Sequence, residues 1–198
     1  MKLIIQIPCY NEEKTLWLVL SELPKKIEWI SVIETQIIDD GSTDNTLEVA
    51  KKYNVDHIIS YIWNRWLWIA FKLWLENALL NWADILVNTD WDNQYPSKYI
   101  KDIVKPIVEK KADITIWNRQ TSKIIYFSFI KKIFQWFWSY IVRFLSWTKV
   151  IDAVSWFRAY SRESMMKLNI TSRNPILVNI NAYIVISAIN NRLLFLLI

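Results

Sequence analysis

Apolar runs of strand length alternate with segments of helical period along the first part of the chain. Leu3–Ile7 is followed by Leu16–Leu23, Val32–Ile38 by Thr46–Tyr53, His57–Ile62 by Leu67–Leu80, and Ile85–Val87 by Tyr99–Val108, with a further short run at Ile114–Ile116. This β–α repetition predicts an α/β fold, a mostly parallel central sheet flanked by helices on both faces. In such sheets the ligand crevice lies outside the carboxyl ends of the strands. The polar clusters fall at those ends: Pro8-Cys9-Tyr10-Asn11-Glu12, Asp39-Asp40-Gly41-Ser42-Thr43-Asp44, and Asn88-Thr89-Asp90-Trp91-Asp92-Asn93-Gln94.

Helix boundaries carry their own signals. Thr43 or Asp44 can cap a helix starting near Asn45, and Pro96-Ser97 opens the one after the third cluster. Pro106 is expected to kink or divide that helix. The aromatic stretch Ile124–Trp147 is interrupted by Lys131, Lys132 and Arg143, so it is expected to lie on a membrane surface and not to span one. A buried helix is the plain alternative.

Composition and charge change this picture. The 198 residues, 53% hydrophobic and 22% charged, exclude a disordered tail and suit one domain. The lone Cys9 excludes an internal disulfide framework and a cysteine-rich zinc site, and reads as packing. Residues 1–8 hold an apolar run without a small-residue cleavage site, so they read as a buried strand and not a signal peptide. The net charge of +5 is uneven: residues 1–118 carry 13 basic and 17 acidic side chains, residues 119–173 carry 10 and 2. A cationic, aromatic back half suits a phosphate-bearing ligand or an anionic membrane surface, and the acidic front half argues against nucleic acid.

Asp90 and Asp92 stand at i and i+2 directly after an apolar strand, where face alternation relaxes and both carboxylates can meet one hard cation. Mg2+ or Mn2+ with a bound diphosphate needs such oxygen donors, and the Gln94 carbonyl can add another. A solvated acidic turn is the bland reading of an isolated D-x-D. The second acidic cluster upstream favours the metal. There, a carboxylate can accept hydrogen bonds from a nucleotide base or ribose while Gly41 allows a tight turn. No phosphate-cradling G-x-x-x-x-G-K-[ST] loop occurs. His57, in an apolar strand, reads as structural.

Further signatures continue the series: Asn64-Arg65-Trp66-Leu67-Trp68-Ile69-Ala70, Ala83-Asp84 through Pro96, Asn118-Arg119, and Ser155-Trp156-Phe157-Arg158-Ala159. In this order and spacing they resemble the family 2 glycosyltransferases of the Rossmann-like GT-A fold, especially the branch of polyprenyl-phosphate (dolichol-phosphate) mannosyltransferases. The resemblance covers residues 1–173. It implies a metal-dependent hexosyltransferase using a nucleoside-diphosphate sugar and, as acceptor, a polyprenyl phosphate. Pro8, Tyr10, Glu12 and Asp39 would line the nucleotide pocket, with Asp90 beside them. Asp90, Asp92 and Gln94 would hold the ion, Asp92 acting in catalysis, and Arg119 and Arg158 would meet phosphates. The expected location is the cytoplasmic side, peripheral at the inner face of the membrane. Two rivals remain: a sugar-phosphate nucleotidyltransferase, which should carry a glycine-rich basic phosphate loop in place of Pro8–Glu13, and a non-catalytic, aromatic-rich membrane- or glycan-binding protein.

Glycine occurs once and tryptophan 13 times, whereas ordinary usage of about 7% would give roughly 14 glycines. Trp66, Trp68, Trp74, Trp82, Trp117 and Trp156 stand where the family's motifs have glycine, and Trp91 and Trp147 belong with them. Indole cannot replace glycine at positive φ or close backbone approach. The expectation is therefore that many of these positions are glycine, written as tryptophan because a UGA codon was read by the wrong table. The tail, residues 174–198, carries no acidic residue and no recognisable motif, and is expected to be atypical, truncated or frame-shifted.

Overall fold

A computed structural model describes residues 1–61, 67–90, 96–117, 155–170 and 193–198. The strands are β1 (Lys2–Cys9), β2 (Val32–Asp39), β3 (His57–Ser60), β4 (Ile85–Asn88), β5 (Ile114–Ile116), β6 (Arg158–Ser161) and β7 (Phe195–Leu197). The helices are α1 (Leu16–Glu22), α2 (Thr46–Lys52), α3 (Leu67–Leu80), α4 (Ile100–Val108) and α5 (Arg162–Ile170).

The strands form one sheet in the order β3-β2-β1-β4-β6-β5-β7. β1 pairs in parallel with both β2 and β4, and β6 runs antiparallel between β4 and β5. The strand order turns at β1 and β4, which opens a crevice beyond their carboxyl ends. β6 enters the sheet at that same edge, because Arg158, its first residue, is registered with Asn88, the last of β4. The tail contributes β7, paired in parallel with β5.

Both sheet faces are covered, as the near-continuous apolar runs require. On one face Phe71, Trp74, Leu75 and Ala78 of α3 and Met165 and Leu168 of α5 pack on Ile4, Ile38, Leu86 and Tyr160. On the other, Ile100, Ile103, Val104 and Ile107 of α4 pack on Leu3, Ile5, Ile85 and Val87. Pro106 lies in the last turn of α4, which it does not divide; its carbonyl accepts the Lys111 N–H at 2.8 Å. His57 is not solitary: its Nε2 lies 2.6 Å from Glu34, which also meets Lys2 Nζ at 2.7 Å.

Three helices close alike. Asn54, Trp82 and Lys110 follow α2, α3 and α4 with φ of 53°, 59° and 57°, and the next amide reaches back to Ala50, Ala78 and Pro106 respectively. This is the left-handed cap that usually takes glycine, tolerates asparagine and penalises a large side chain. Trp82 is 76% exposed, with the Arg162 guanidinium 5.4 Å from its ring centroid. No helix among the described residues is long and apolar enough to cross a membrane. The Ile124–Trp147 expectation lies outside them.

Candidate active site

Two loops are laced together at the carboxyl ends of β1 and β2. The Asn11 N–H donates to Ser42 Oγ at 2.8 Å, while Asn11 Oδ1 accepts the Thr43 N–H at 2.8 Å. The Glu12 N–H donates to Thr46 Oγ1 at 2.8 Å, and Glu13 Oε2 accepts from the Asn45 amide side chain at 3.0 Å. Asp44 accepts the Thr46 N–H at 3.0 Å, so it caps α2 as its sequence position predicts. Burial opposes ionisation of Asp44, but the hydrogen bonds from Thr46 and Glu13 outweigh it and hold the carboxyl below its ordinary range.

Within this frame the predicted nucleotide residues take different places. Tyr10 is half exposed at the rim, and Pro8 is partly buried. Glu12 accepts the Thr15 hydroxyl at the start of α1. Asp39 is fully buried, receiving the Ser42 N–H at 3.1 Å and the Ser60 hydroxyl at 2.6 Å. Its neighbour differs. Asp40 Oδ1 is buried and has no hydrogen-bond partner among the described residues, and Gly41, at φ 84°, turns the chain just after it. A buried carboxylate oxygen left unpaired is costly unless a ligand donor completes it. Asp40 was quoted in the sequence cluster, but only the tertiary structure separates its role from that of Asp39.

At the end of β4, Asn88 and Thr89 are buried, and Asp90 is partly exposed at the crevice. Asp92 and Gln94, the other expected ligands, and Arg119 lie outside the described residues. Of the expected ligands only Asp90 is described; its carboxylate is the type of oxygen donor that Mg2+ and Mn2+ take, commonly as one or two carboxylates plus phosphate oxygens. Arg158 is 1% exposed, and its Nε donates to the Ser155 carbonyl at 2.6 Å. It also hydrogen-bonds Tyr160, whose phenol is pushed up by burial, partly offset by this cation. The buried Cys9 thiol is pushed far above its usual range by burial first, then by Asp39, Glu12 and Asp44, which disfavours the thiolate.

A ligand crevice at the β1–β4 turn, an unpaired Asp40 oxygen and a carboxylate after β4 together agree with the comparison to known proteins. The Glycosyl transferase family 2 profile matches residues 4–168. The chain belongs to glycosyl transferase family 2. It is 30% identical over 169 residues to an uncharacterised protein of Methanocaldococcus jannaschii, spanning 84% of this chain and 68% of that one. It is 26% identical to the UDP-N-acetylglucosamine–dolichyl-phosphate N-acetylglucosaminyltransferase of Methanococcus voltae, over 82% of this chain and 70% of that protein. The fold matches Mycobacterium tuberculosis glucosyl-3-phosphoglycerate synthase in complex with UDP, with TM-score 0.64 and 19% identity. This family 2 chain covers 58% of that structure, 84% of itself being aligned. The same synthase has been crystallised with Mn2+ or Mg2+ and UDP.

Proposed function

We propose that this family 2 glycosyltransferase transfers a hexose from a nucleoside-diphosphate sugar, bound across the carboxyl ends of β1, β2 and β4, to a polyprenyl phosphate. The observation that carries the reading is the buried Asp40 Oδ1, without a partner among the described residues, at the carboxyl end of β2 on the same sheet edge as Asp90 after β4. Asp40 accepts a donor N–H or O–H from the base or ribose, Tyr10 closes the rim over it, and Asp39 holds the loops in place through Ser42 and Ser60. Asp90, Asp92 and Gln94 are the residues that would hold Mg2+ or Mn2+. Such an ion, when bound, offsets the charge on the departing diphosphate. Arg119 meets phosphate oxygens from the cationic segment. Arg158, buried and committed to Ser155, supports that surface by orienting residues 155–157.

The acceptor oxygen forms the new bond to the anomeric carbon as the bond to the nucleoside diphosphate breaks. A lipid phosphate brings an oxygen that is already anionic, so no strong general base is required. The cationic stretch 119–173 and the likeness to a dolichyl-phosphate transferase support this acceptor class. Peripheral attachment to an anionic membrane surface follows from the same charge. The test is calorimetric titration of UDP- and GDP-sugars with and without Mn2+, followed by transfer to a short polyprenyl phosphate. Metal-dependent donor binding that Asp92→Ala abolishes supports the reading, and binding indifferent to both overturns it.

A further inference from the structure

A row of buried polar side chains crosses four adjacent strands of the sheet on one face. Gln36 of β2 is registered with Gln6 of β1, Gln6 with Asn88 of β4, and Asn88 with Arg158 of β6. All four are at most 4% exposed. The amides hydrogen-bond in one direction. Asn77 of α3 donates to Gln36 Oε1 at 2.7 Å, Gln36 Nε2 to Gln6 Oε1 at 2.8 Å, and Gln6 Nε2 to Asn88 Oδ1 at 2.9 Å. Asn88 Nδ2 then donates to the Trp156 carbonyl at 3.0 Å.

Sheet stability does not call for such a chain, because apolar residues of like size fill a core at less risk than amides that must all stay paired. What the amides add is direction. Each side-chain oxygen accepts from the previous donor, which fixes which end of each amide is NH2; Gln36 Nε2 also reaches the Trp74 carbonyl of α3 at 3.5 Å, and the last NH2, that of Asn88, points at a loop carbonyl instead of a side chain. That loop, residues 155–157, precedes Arg158, whose Nε holds the adjacent Ser155 carbonyl. Asn88 stands two residues before Asp90, and the next amide, Thr89 N–H, is fixed to the Gln6 carbonyl at 3.0 Å.

We propose that Asn88 is a positioning residue for sugar transfer: the buried amide row sets the distance between the Asp90 edge and the 155–157 loop. The inference rests on the reading of the Asp90 edge as the donor diphosphate site. Its contacts are to the backbone at position 156, so the side chain there does not enter.

The test uses the full chain with Asn88→Ala, and with Gln6→Met, which breaks the row one step earlier while sparing the Asn88–Trp156 bond. The control is Thr115→Val, which removes a buried hydroxyl bonded to the Ile103 carbonyl at 2.6 Å away from the row. Asn88→Ala should lower kcat about tenfold, the size of one buried hydrogen bond, with donor KM changed less than about threefold. Gln6→Met should do the same more weakly, and Thr115→Val should lower Tm alone. Amide hydrogen exchange in residues 155–161 should quicken in Asn88→Ala and not in the control. Wild-type kcat in folded Asn88→Ala, or exchange no faster than in the control, overturns the proposal. If the wild-type chain transfers no sugar, the donor-site reading fails on its own, and exchange still decides whether the row fixes the loop.

A different observation carries a second inference: the geometry points to glycine at position 82 of the natural protein. Trp82 occupies the left-handed cap of α3 with its side chain 76% exposed, so little packing offsets the backbone cost. Glycine removes that cost. Tandem mass spectrometry of the tryptic peptide 73–98 from the native host reads the residue directly. A glycine mass at 82, with a UGA codon, is expected; a tryptophan mass or a UGG codon overturns the inference.

Discussion

The Ser60 hydroxyl donates a 2.6 Å hydrogen bond to the Asp39 carboxylate, tying the end of β3 to the end of β2 directly beneath the candidate nucleotide site. Asp39 is fully buried, so Ser60→Ala leaves one of its oxygens without that donor. We expect a loss of about 1–3 kcal/mol in unfolding free energy, read by urea titration, together with weaker donor binding by calorimetry.

Asp40 is expected to behave in the opposite way. Its buried Oδ1 has no partner among the described residues, so Asp40→Asn should leave Tm unchanged or slightly raised. Donor affinity should fall about tenfold or more, because the amide loses the charge-assisted acceptor. Calorimetry and thermal unfolding on one sample separate the two effects.

Glu34 supplies a pH dependence. Burial disfavours its charge, but hydrogen bonds from Lys2 and His57 and their charges outweigh it and hold the carboxyl below its ordinary 4.5. A carboxyl depressed in the folded state stabilises above the unfolded value, and that contribution is lost as pH falls through the folded one. Unfolding midpoints in urea should therefore drop as pH is lowered below about 4.5, and Glu34→Gln should flatten that part of the profile.

Trp82→Gly should stabilise the chain as written by about 1 kcal/mol, because it relieves a left-handed φ that glycine adopts freely. Lys110→Gly, at the equivalent place after α4, should do the same on a smaller scale, since lysine lacks the indole's bulk. Differential scanning fluorimetry of the two variants checks the order.

Chelation is the last expectation. EDTA should abolish donor binding, and Mn2+ or Mg2+ should restore it, whereas Asp90→Asn should stay weak at saturating metal. Calorimetric titration with the nucleoside diphosphate alone is the simplest readout.

The alternation of apolar strands with helical segments already determined the α/β class, and the polar clusters after Cys9, Asp39 and Asn88 marked the edge that carries the chemistry. Spacing alone was enough there, because a parallel βα repeat forces successive strand ends to one side. Gln6 and Gln36 broke two apolar strands in the sequence, yet nothing local told that they would meet. Their alignment depends on register between strands distant along the chain, as does the entry of Arg158 beside Asn88. The division of labour between Asp39 and Asp40 was likewise invisible. Adjacent carboxylates look alike in a sequence, and only the arrival of Ser60 from β3 occupies one while leaving an oxygen of the other unpaired. Periodicity thus marked the elements as far as Ile116 and the edge, while β6, α5, β7 and the long-range pairing that sets which groups meet at that edge, which no local pattern encodes, were decided by the tertiary structure.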